Sequence, residues 1–371
     1  MQARFYKNLQ ANNELILMNK KLRVIVLLLS ILPSFYALAQ TQQARTMFYG
    51  GEVREYIIYI PSSYNSSAPA PLMFNFHGGG GSGSGMINGI NDMRPIADTA
   101  GFIAVYPSGS SGAWMHKSPT TYNDIYFIEA IIDTIALDYN VDNDRVYACG
   151  YSEGGIFSYE LACRLSNRIA AIASVSGSMM TDYQRNQLPP NGYNFPTCSP
   201  SHPTAIMFIP GTNDSNPNSY YIGLQPYYMS ASDISSYWSN HNNTNPNPII
   251  VNVPSSPNTT NGSSVERKIW DSGDNCVSVV ELKVNNGEHD WPGSFGNMDI
   301  NASKEIWKFV SLYDINGLID CSSTNTNELL ELMPKKINRV IDILGREVKQ
   351  TNQLLFYIFD DGTVEKRIII E

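Results

Sequence analysis

A serine between two glycines is the first candidate for chemistry in this chain. Segment 150–154 reads Gly-Tyr-Ser-Glu-Gly, after an alternating apolar run at 145–149 and before helically spaced apolar residues at 156–165. We predict a strand, a tight turn and a helix, because glycines relieve the crowding that such a turn imposes on its central residue. Ser152 would then present its hydroxyl at a helix N-terminus, where the dipole favours developing negative charge. The pentapeptide arises by chance in many proteins, so a nucleophile here also requires a base, an acid and an oxyanion hole.

The base must come from five histidines, and after a turn of this kind the catalytic order along the chain is serine, acid, histidine. Four histidines do not fit that order: His77, His116, His202 and His241. The first two precede the serine, and the third has no suitably placed acid before it. The fourth ends a polar helix, where we expect a solvated side chain. His289 closes the last predicted core strand in a loop constrained by glycines and a proline, and we predict it as the general base.

Asp214 is the predicted acid of this set. It follows the apolar run 205–209 and the segment Pro-Gly-Thr-Asn, which places it at the C-terminal end of a strand between the serine and the histidine. An acid that orients the imidazole must be partly buried beside His289. Asp271 and Asp274 are the alternatives, but they fall in a turn between edge-like strands, where we expect solvated carboxylates.

The glycine run at 77–81 (His-Gly-Gly-Gly-Gly) predicts an oxyanion hole. It follows an apolar strand, and glycine lets backbone N–H groups approach a substrate oxygen closely. We predict the backbone amides of Gly79 and Glu153 as the donor pair. The alternatives are a flexible loop or a phosphate-binding loop, but the latter would end in Lys-Ser/Thr and segment 82–85 has no lysine.

Apolar strands that alternate with helices predict an α/β fold, with a mainly parallel sheet, helices on both faces and an antiparallel edge at the start. The predicted strands are 46–49, 53–60, 72–76, 102–106, 145–149, 170–175, 205–209 and 277–284, and the predicted helices are 124–137, 156–165, 232–242 and 302–312. Segment 242–264 is rich in Asn, Pro, Ser and Thr around one apolar run at 249–253, and we interpret it as a surface excursion.

The composition limits the possible partners and cofactors. With 43% hydrophobic residues the chain can form a full core, and with a net charge of −9 and no Lys/Arg cluster beyond the N-terminus it is not expected to bind nucleic acid. No Cys/His spacing indicates a metal site, and serine chemistry requires no cofactor.

Five cysteines leave at least one thiol unpaired. Cys149 and Cys163 fall in the predicted strand and helix around the serine, where we interpret them as small core residues. Cys198, Cys276 and Cys321 fall in loops and could pair after export, and the sequence does not choose the partners.

The N-terminus predicts secretion. A basic start at 18–23, an apolar run at 24–32 and Ala-Leu-Ala at 37–39 indicate a signal peptide over 1–39, cleaved before Gln40, with Met18 as an alternative start. The apolar run is too short for a permanent membrane anchor.

Five motifs follow one another over roughly residues 45–312: NFHGGGGSG, GFIAVYPSG, YNVDNDRVYACGYSEGG, PGTND and GEHDWPG. Together, and in this order, they resemble the secreted esterase family that contains polyhydroxybutyrate depolymerases, feruloyl esterases and acetylxylan esterases. The resemblance implies an α/β-hydrolase domain with Ser152, Asp214 and His289 as its triad.

Two positions depart from the family's pattern. Gly79 stands where the family often has a cysteine or another residue, and Asp290 follows the histidine where the family usually has a small or aromatic residue. Both departures bear on the substrate pocket or the pH optimum. Trp114 and Trp291 are the predicted substrate contacts, because an indole stacks on a sugar or an aromatic acid, although single aromatic residues more often serve packing.

The C-terminal segment contains DILGREV and ends in a strand that is first basic and then apolar. In these features it resembles the sorting domains of the type IX secretion route of Gram-negative bacteria. We predict an esterase domain over 40–318, a linker over 319–335 and a β tail over 336–371, with short strands at 337–348 and 354–371 and a turn at 360–362. The resemblance implies export through secretion machinery; the alternative is an ordinary small β appendage.

The residues and the resemblance together predict an extracellular serine esterase that needs no cofactor. Its ester substrate is of the polyhydroxybutyrate type, or alternatively a feruloyl or acetyl ester on plant polysaccharide. A non-catalytic binding module on the same fold is the alternative from another class, and the intact order of serine, acid and histidine argues against it.

Overall fold

β-Branched and aromatic runs form the strands of one large mixed sheet. The computed structural model describes residues 41–114, 123–188, 191–214, 221–321, 337–342, 346–347, 354–359 and 364–368. The predicted signal peptide, most of the predicted linker, His116 and the turn at 360–362 lie outside these residues. The strands of the sheet are Thr41–Tyr49 (β1), Glu52–Ile60 (β2), Ala70–Phe76 (β3), Ile103–Pro107 (β4), Val141–Tyr151 (β5), Ala171–Val175 (β6), Ala205–Ile209 (β7), Ile249–Asn252 (β8), Ser264–Trp270 (β9) and Val279–Asn285 (β10).

The strand order is β1-β2-β4-β3-β5-β6-β7-β10-β9-β8. The strands from β4 to β10 in this order are parallel, while β1 and β2 at one edge and β9 and β8 at the other pair antiparallel. The prediction of a mainly parallel sheet with an antiparallel start is confirmed. The prediction of a surface excursion over 242–264 is wrong in one respect, because its apolar run forms the edge strand β8. Parallel strands end at a common edge, so the loops after β3, β5, β7 and β10 emerge together.

Helices cover both faces of this sheet. They are Arg94–Ala100 (α1), Asn123–Asp138 (α2), Glu153–Arg164 (α3), Asp182–Asn186 (α4), Ala231–Asn242 (α5) and Ala302–Val310 (α6). Alternate strand residues point to opposite faces: Leu72 and Phe74 pack in the core beneath α2, α3 and α5, whereas Met73 packs in the core beneath α1 and α6. The predicted helices on both faces are therefore confirmed. Among the described residues, no helix combines the length and apolar character needed to cross a bilayer.

Two disulfides join segments that are distant in sequence. Cys163 pairs with Cys198, and Cys276 pairs with Cys321. Cys149 is the free, buried cysteine, and burial raises the pKa of its thiol. The interpretation of Cys163 as a simple core residue is wrong, because its side chain on α3 faces the loop that carries Cys198. The second bridge ties Cys321 to Cys276, although position 321 lies within the predicted linker over 319–335. The covalently closed part of the chain therefore extends beyond the predicted domain end at 318.

Short strands follow the large sheet. Tyr313–Asp314 (β11) and Gly317–Leu318 (β12) form a small hairpin, and Ile337–Asp342 (β13), Leu354–Phe359 (β14) and Val364–Ile368 (β15) form an antiparallel sheet in that order. The short strands predicted in the tail are confirmed, with narrower bounds.

Candidate active site

Ser152 occupies a strained turn between β5 and α3. Its backbone has φ 56° and ψ −119°, and its N–H donates to the carbonyl oxygen of Val175 at 2.9 Å. Such a conformation costs about 1–3 kcal/mol and persists only where the surroundings enforce it. Gly154 is part of that enforcement, because a Cβ there would collide with the carbonyl oxygen of Phe76. The predicted strand, tight turn and helix are therefore present around Ser152.

A hydrogen bond joins the predicted acid to the predicted base. Asp214 Oδ2 lies 2.7 Å from His289 Nδ1, with the Asp214 side chain fully buried and 18% of the His289 side chain exposed. The two loops approach so closely that a Cβ on Gly211 would collide with the carbonyl oxygen of Glu288. The N–H of Asn213 also donates to the carbonyl oxygen of Gly287 at 2.8 Å. Backbone contacts therefore fix the carboxylate and the imidazole relative to each other.

Tyr151 connects the serine to the histidine loop. Its hydroxyl donates to the carbonyl oxygen of His289 at 2.7 Å, and its ring centroid lies 5.0 Å from that of the imidazole. Burial, with the nearby carboxylates of Asp214 and Asp290, raises the pKa of Tyr151 to about 12, so the phenol remains a donor at neutral pH. No pattern in the sequence singled out Tyr151, and its position directly before the serine was the one available signal.

The other acids and histidines make contacts elsewhere. Asp271 is 7% exposed and accepts a hydrogen bond from Asn245 at 2.6 Å, so the expectation that it is solvated is wrong, whereas Asp274 is exposed as expected. His241 is half-buried, with Nε2 3.1 Å from the carbonyl oxygen of His202, so its solvated interpretation is also wrong.

The glycine loop passes beside Ser152. A Cβ on Gly78 would lie 3.3 Å from Ser152 Cβ. His77, at the start of the loop, is buried; its Nε2 accepts the N–H of Gly109 at 2.9 Å, so its Nδ1–H donates to the carbonyl oxygen of Gly78 at 2.7 Å. Burial lowers the pKa of His77, which keeps this ring neutral. His77 therefore serves as a bridge that shapes the loop.

The prediction that Trp114 and Trp291 contact substrate is contradicted by their burial. Each is 1% exposed. Trp114 stacks on Phe157 at 4.8 Å between centroids, and its indole N–H donates to the carbonyl oxygen of His77. The indole N–H of Trp291 donates to Ser303, and its ring lines a cavity of about 250 Å³. At 1% exposure, neither tryptophan presents a solvent-facing surface on which a sugar or an aromatic acid could stack.

Asp290, directly after the histidine, is a partly buried carboxyl. A Cβ on Gly296 would collide with it, and the N–H of Glu288 donates to it at 3.3 Å. Burial, and then the charges of Glu288 and Asp214, raise the pKa of Asp290. Asp290 is therefore a carboxyl of raised pKa beside the loop that carries His289. Among the described residues, no three or more His, Cys, Asp and Glu side chains are grouped as metal ligands.

Two curated relatives are similar to this chain in sequence. A bifunctional acetylxylan esterase/xylanase of Neocallimastix patriciarum is 28% identical over 274 residues, which cover 73% of this chain and 35% of that protein. Feruloyl esterase D of Neurospora crassa is 28% identical over 178 residues, which cover 42% of this chain and 60% of that protein. The chain thus spans about a third to three fifths of these relatives' lengths. No family model matches the chain.

A solved structure supports the fold. The acetyl xylan esterase from Aspergillus awamori superposes with a TM-score of 0.53 at 17% identity, covering 73% of this chain and 99% of that one. The chain has the α/β-hydrolase fold, in agreement with the sheet order and the strand–turn–helix at Ser152.

Proposed function

We propose that this protein is a serine carboxylic ester hydrolase. The single observation that carries the proposal is the 2.7 Å hydrogen bond between Asp214 and His289. Tyr151, which directly precedes Ser152, binds the backbone of His289 and so links this pair to the serine. Ser152 stands at the start of α3, in a strained turn beside the glycine loop, and this placement favours a nucleophile over a non-catalytic binding module. Names of the similar proteins, which are acetylxylan and feruloyl esterases, support the same reaction class.

In the proposed mechanism Ser152 Oγ attacks the ester carbonyl while His289 Nε2 takes its proton. Asp214 holds the Nδ1–H tautomer of His289 and stabilises the imidazolium that forms. The backbone N–H groups of Gly79 and Glu153 bind the oxyanion, and loss of one such donor typically costs about 3 kcal/mol. His289 then protonates the leaving alcohol, and a water that it activates releases the acid.

The proposed substrates are esters carried on plant polysaccharide. The similarity to acetylxylan and feruloyl esterases favours acetyl and feruloyl esters, and polyhydroxybutyrate is the other candidate. With both indoles buried, we propose instead two exposed tyrosines as polymer contacts, one on helix α4 and one on the loop after β7. Tyr183 and Tyr227 are 51% and 42% exposed, with ring centroids 6.1 Å apart.

The experiment compares wild type with Ser152→Ala on p-nitrophenyl acetate, methyl ferulate, acetylated xylan and polyhydroxybutyrate film. We expect wild type to cleave at least the first substrate, and Ser152→Ala to lose several orders of magnitude in kcat with a nearly unchanged Tm. Substantial activity in the alanine variant would refute the nucleophile. Cleavage of the polyester film, without cleavage of xylan or ferulate esters, would refute the polysaccharide assignment.

We further propose that the protein is exported, with the tail as its sorting signal. The signal-peptide pattern over 1–39 and the DILGREV-containing tail support this, and all proposed catalytic groups precede the tail. Secretion machinery is then the partner of the tail, which is not part of the catalytic site.

A further inference from the structure

The carboxylate of Glu153, whose backbone N–H is a proposed oxyanion donor, reaches away from its own helix. Its Oε1 accepts the backbone N–H of Trp114 at 3.0 Å. Its Oε2 occupies the space beside Gly79, where a Cβ would lie 2.9 Å from it. One side chain therefore contacts both the segment around Trp114 and the glycine loop that supplies the other donor.

The segment 109–114 is interlocked with the glycine loop. The N–H of Gly80 donates to the carbonyl oxygen of Gly112 at 2.7 Å, and Gly109 and Trp114 each bond to His77. These contacts make the loop and the segment 109–114 one unit, because each supplies donors and acceptors to the other. A movement of Trp114 therefore carries the glycine loop with it.

Helix α3 holds this unit at two points one turn apart. Glu153 binds the backbone of Trp114, and Phe157 stacks on its indole with an interplanar angle of 8°. Residues four apart lie on the same helix face, so both contacts reach Trp114 from one side. The stacking contact is apolar and tolerates sliding, whereas a hydrogen bond to a carboxylate has a defined direction and is stronger than a neutral one.

We infer that Glu153 is also a positioning residue. Its carboxylate, acting through Trp114 and the glycine loop, sets the distance between the backbone N–H groups of Glu153 and Gly79. This inference rests on the proposed esterase function. An oxyanion hole depends on donors that are fixed before the reaction, so loosening one donor lowers kcat more than it weakens substrate binding. Gly79 belongs to the same arrangement, because any side chain at position 79 would displace the Glu153 carboxylate.

The test compares Glu153→Ala and Glu153→Gln with Glu129→Ala as the control. Glu129 is a half-buried glutamate on α2 whose carboxylate pairs with Arg168 at 3.6 Å. The measurements are kcat and KM on p-nitrophenyl acetate, the rate of inactivation by a p-nitrophenyl phosphonate, and Tm. The phosphonate adduct is tetrahedral and uses the oxyanion hole. Ser152→Ala establishes separately that the activity belongs to the proposed serine.

We expect Glu153→Ala to lower kcat and the phosphonate rate together by about tenfold or more, with KM changed less than threefold. Glu153→Gln retains an acceptor for the Trp114 N–H and should recover to within about threefold of wild type. Glu129→Ala should match wild type. A glutamine variant as slow as alanine, or an alanine variant with wild-type kcat, would overturn the inference without affecting the Ser152 result.

A double-mutant cycle with Gly79→Ala tests the link to Gly79. Gly79→Ala keeps its N–H but displaces the carboxylate, so it should slow the enzyme in the manner of Glu153→Ala. Because both changes disturb the same carboxylate, the double variant should be no slower than the slower single variant. Additive losses would show that the two residues act separately.

Discussion

Replacing Asp214 by asparagine removes a buried negative charge 2.7 Å from His289 Nδ1 with almost no change in shape. The resting imidazole is neutral in the proposed mechanism, and it becomes positively charged only as it takes the proton of Ser152. The charge of Asp214 therefore stabilises the transition state more than the ground state, and its loss should appear in kcat. The amide can also donate to Nδ1, which would hold the ring in the wrong tautomer.

The size of the effect follows from the geometry. Two unit charges 2.7 to 4 Å apart in an effective dielectric near 20 attract by about 4 to 6 kcal/mol. At about 1.4 kcal/mol for each factor of ten, this predicts a fall of on the order of 10³ to 10⁴ in kcat.

The assay is steady-state hydrolysis of p-nitrophenyl acetate at pH 7.5, with the rate of Ser152→Ala subtracted as background. Asp271→Asn is the matched control, since Asp271 is also a buried carboxylate that accepts a 2.6 Å hydrogen bond from an amide. Tm is measured for each variant to separate catalysis from folding. We expect Asp271→Asn to keep wild-type kcat within about threefold.

A result with the two variants reversed would place the acid at Asp271 and refute the mechanism. A loss of less than tenfold in Asp214→Asn, at an unchanged Tm, would show that the 2.7 Å contact does not support proton transfer.

Two further predictions concern the covalent structure and the tail. A thiol-reactive dye should find no fast-reacting thiol in the native protein and one per chain, Cys149, after unfolding without reductant; three would refute one of the bridges. Breaking the bridge across the 35-residue separation with Cys163→Ser should cost about 3–4 kcal/mol of unfolding free energy. A chain spanning 40–321 should match the full chain on p-nitrophenyl acetate, whereas 40–318 lacks Cys321 and should melt lower. In the native host, removal of the tail should leave the enzyme in the periplasm, and unchanged export would contradict the sorting role.

Much of the fold was accessible from sequence because its strands and helices have local signals. The run 205–209 is apolar and β-branched, and it forms β7 with the predicted bounds. The glycines around Ser152 indicated a turn that other residues could not make, and only one histidine closed a later core strand. These inferences use periodicity and steric limits, which neighbouring residues encode, and the order of residues along the chain, which the sequence gives directly.

The tertiary structure decided what depends on distances between remote segments. The sequence could not pair Cys163 with Cys198, because the pairing depends on which loop packs against α3. The sequence predicted two tryptophans as substrate contacts, but the structure buries both side chains. Residue type does not show which side of a loop is covered. The sequence also predicted a role only for the backbone N–H of Glu153, as an oxyanion donor, and none for its carboxylate. The bond from its carboxylate to Trp114 joins residues 39 positions apart, and such contacts exist only once the sheet has brought the ends of its strands together.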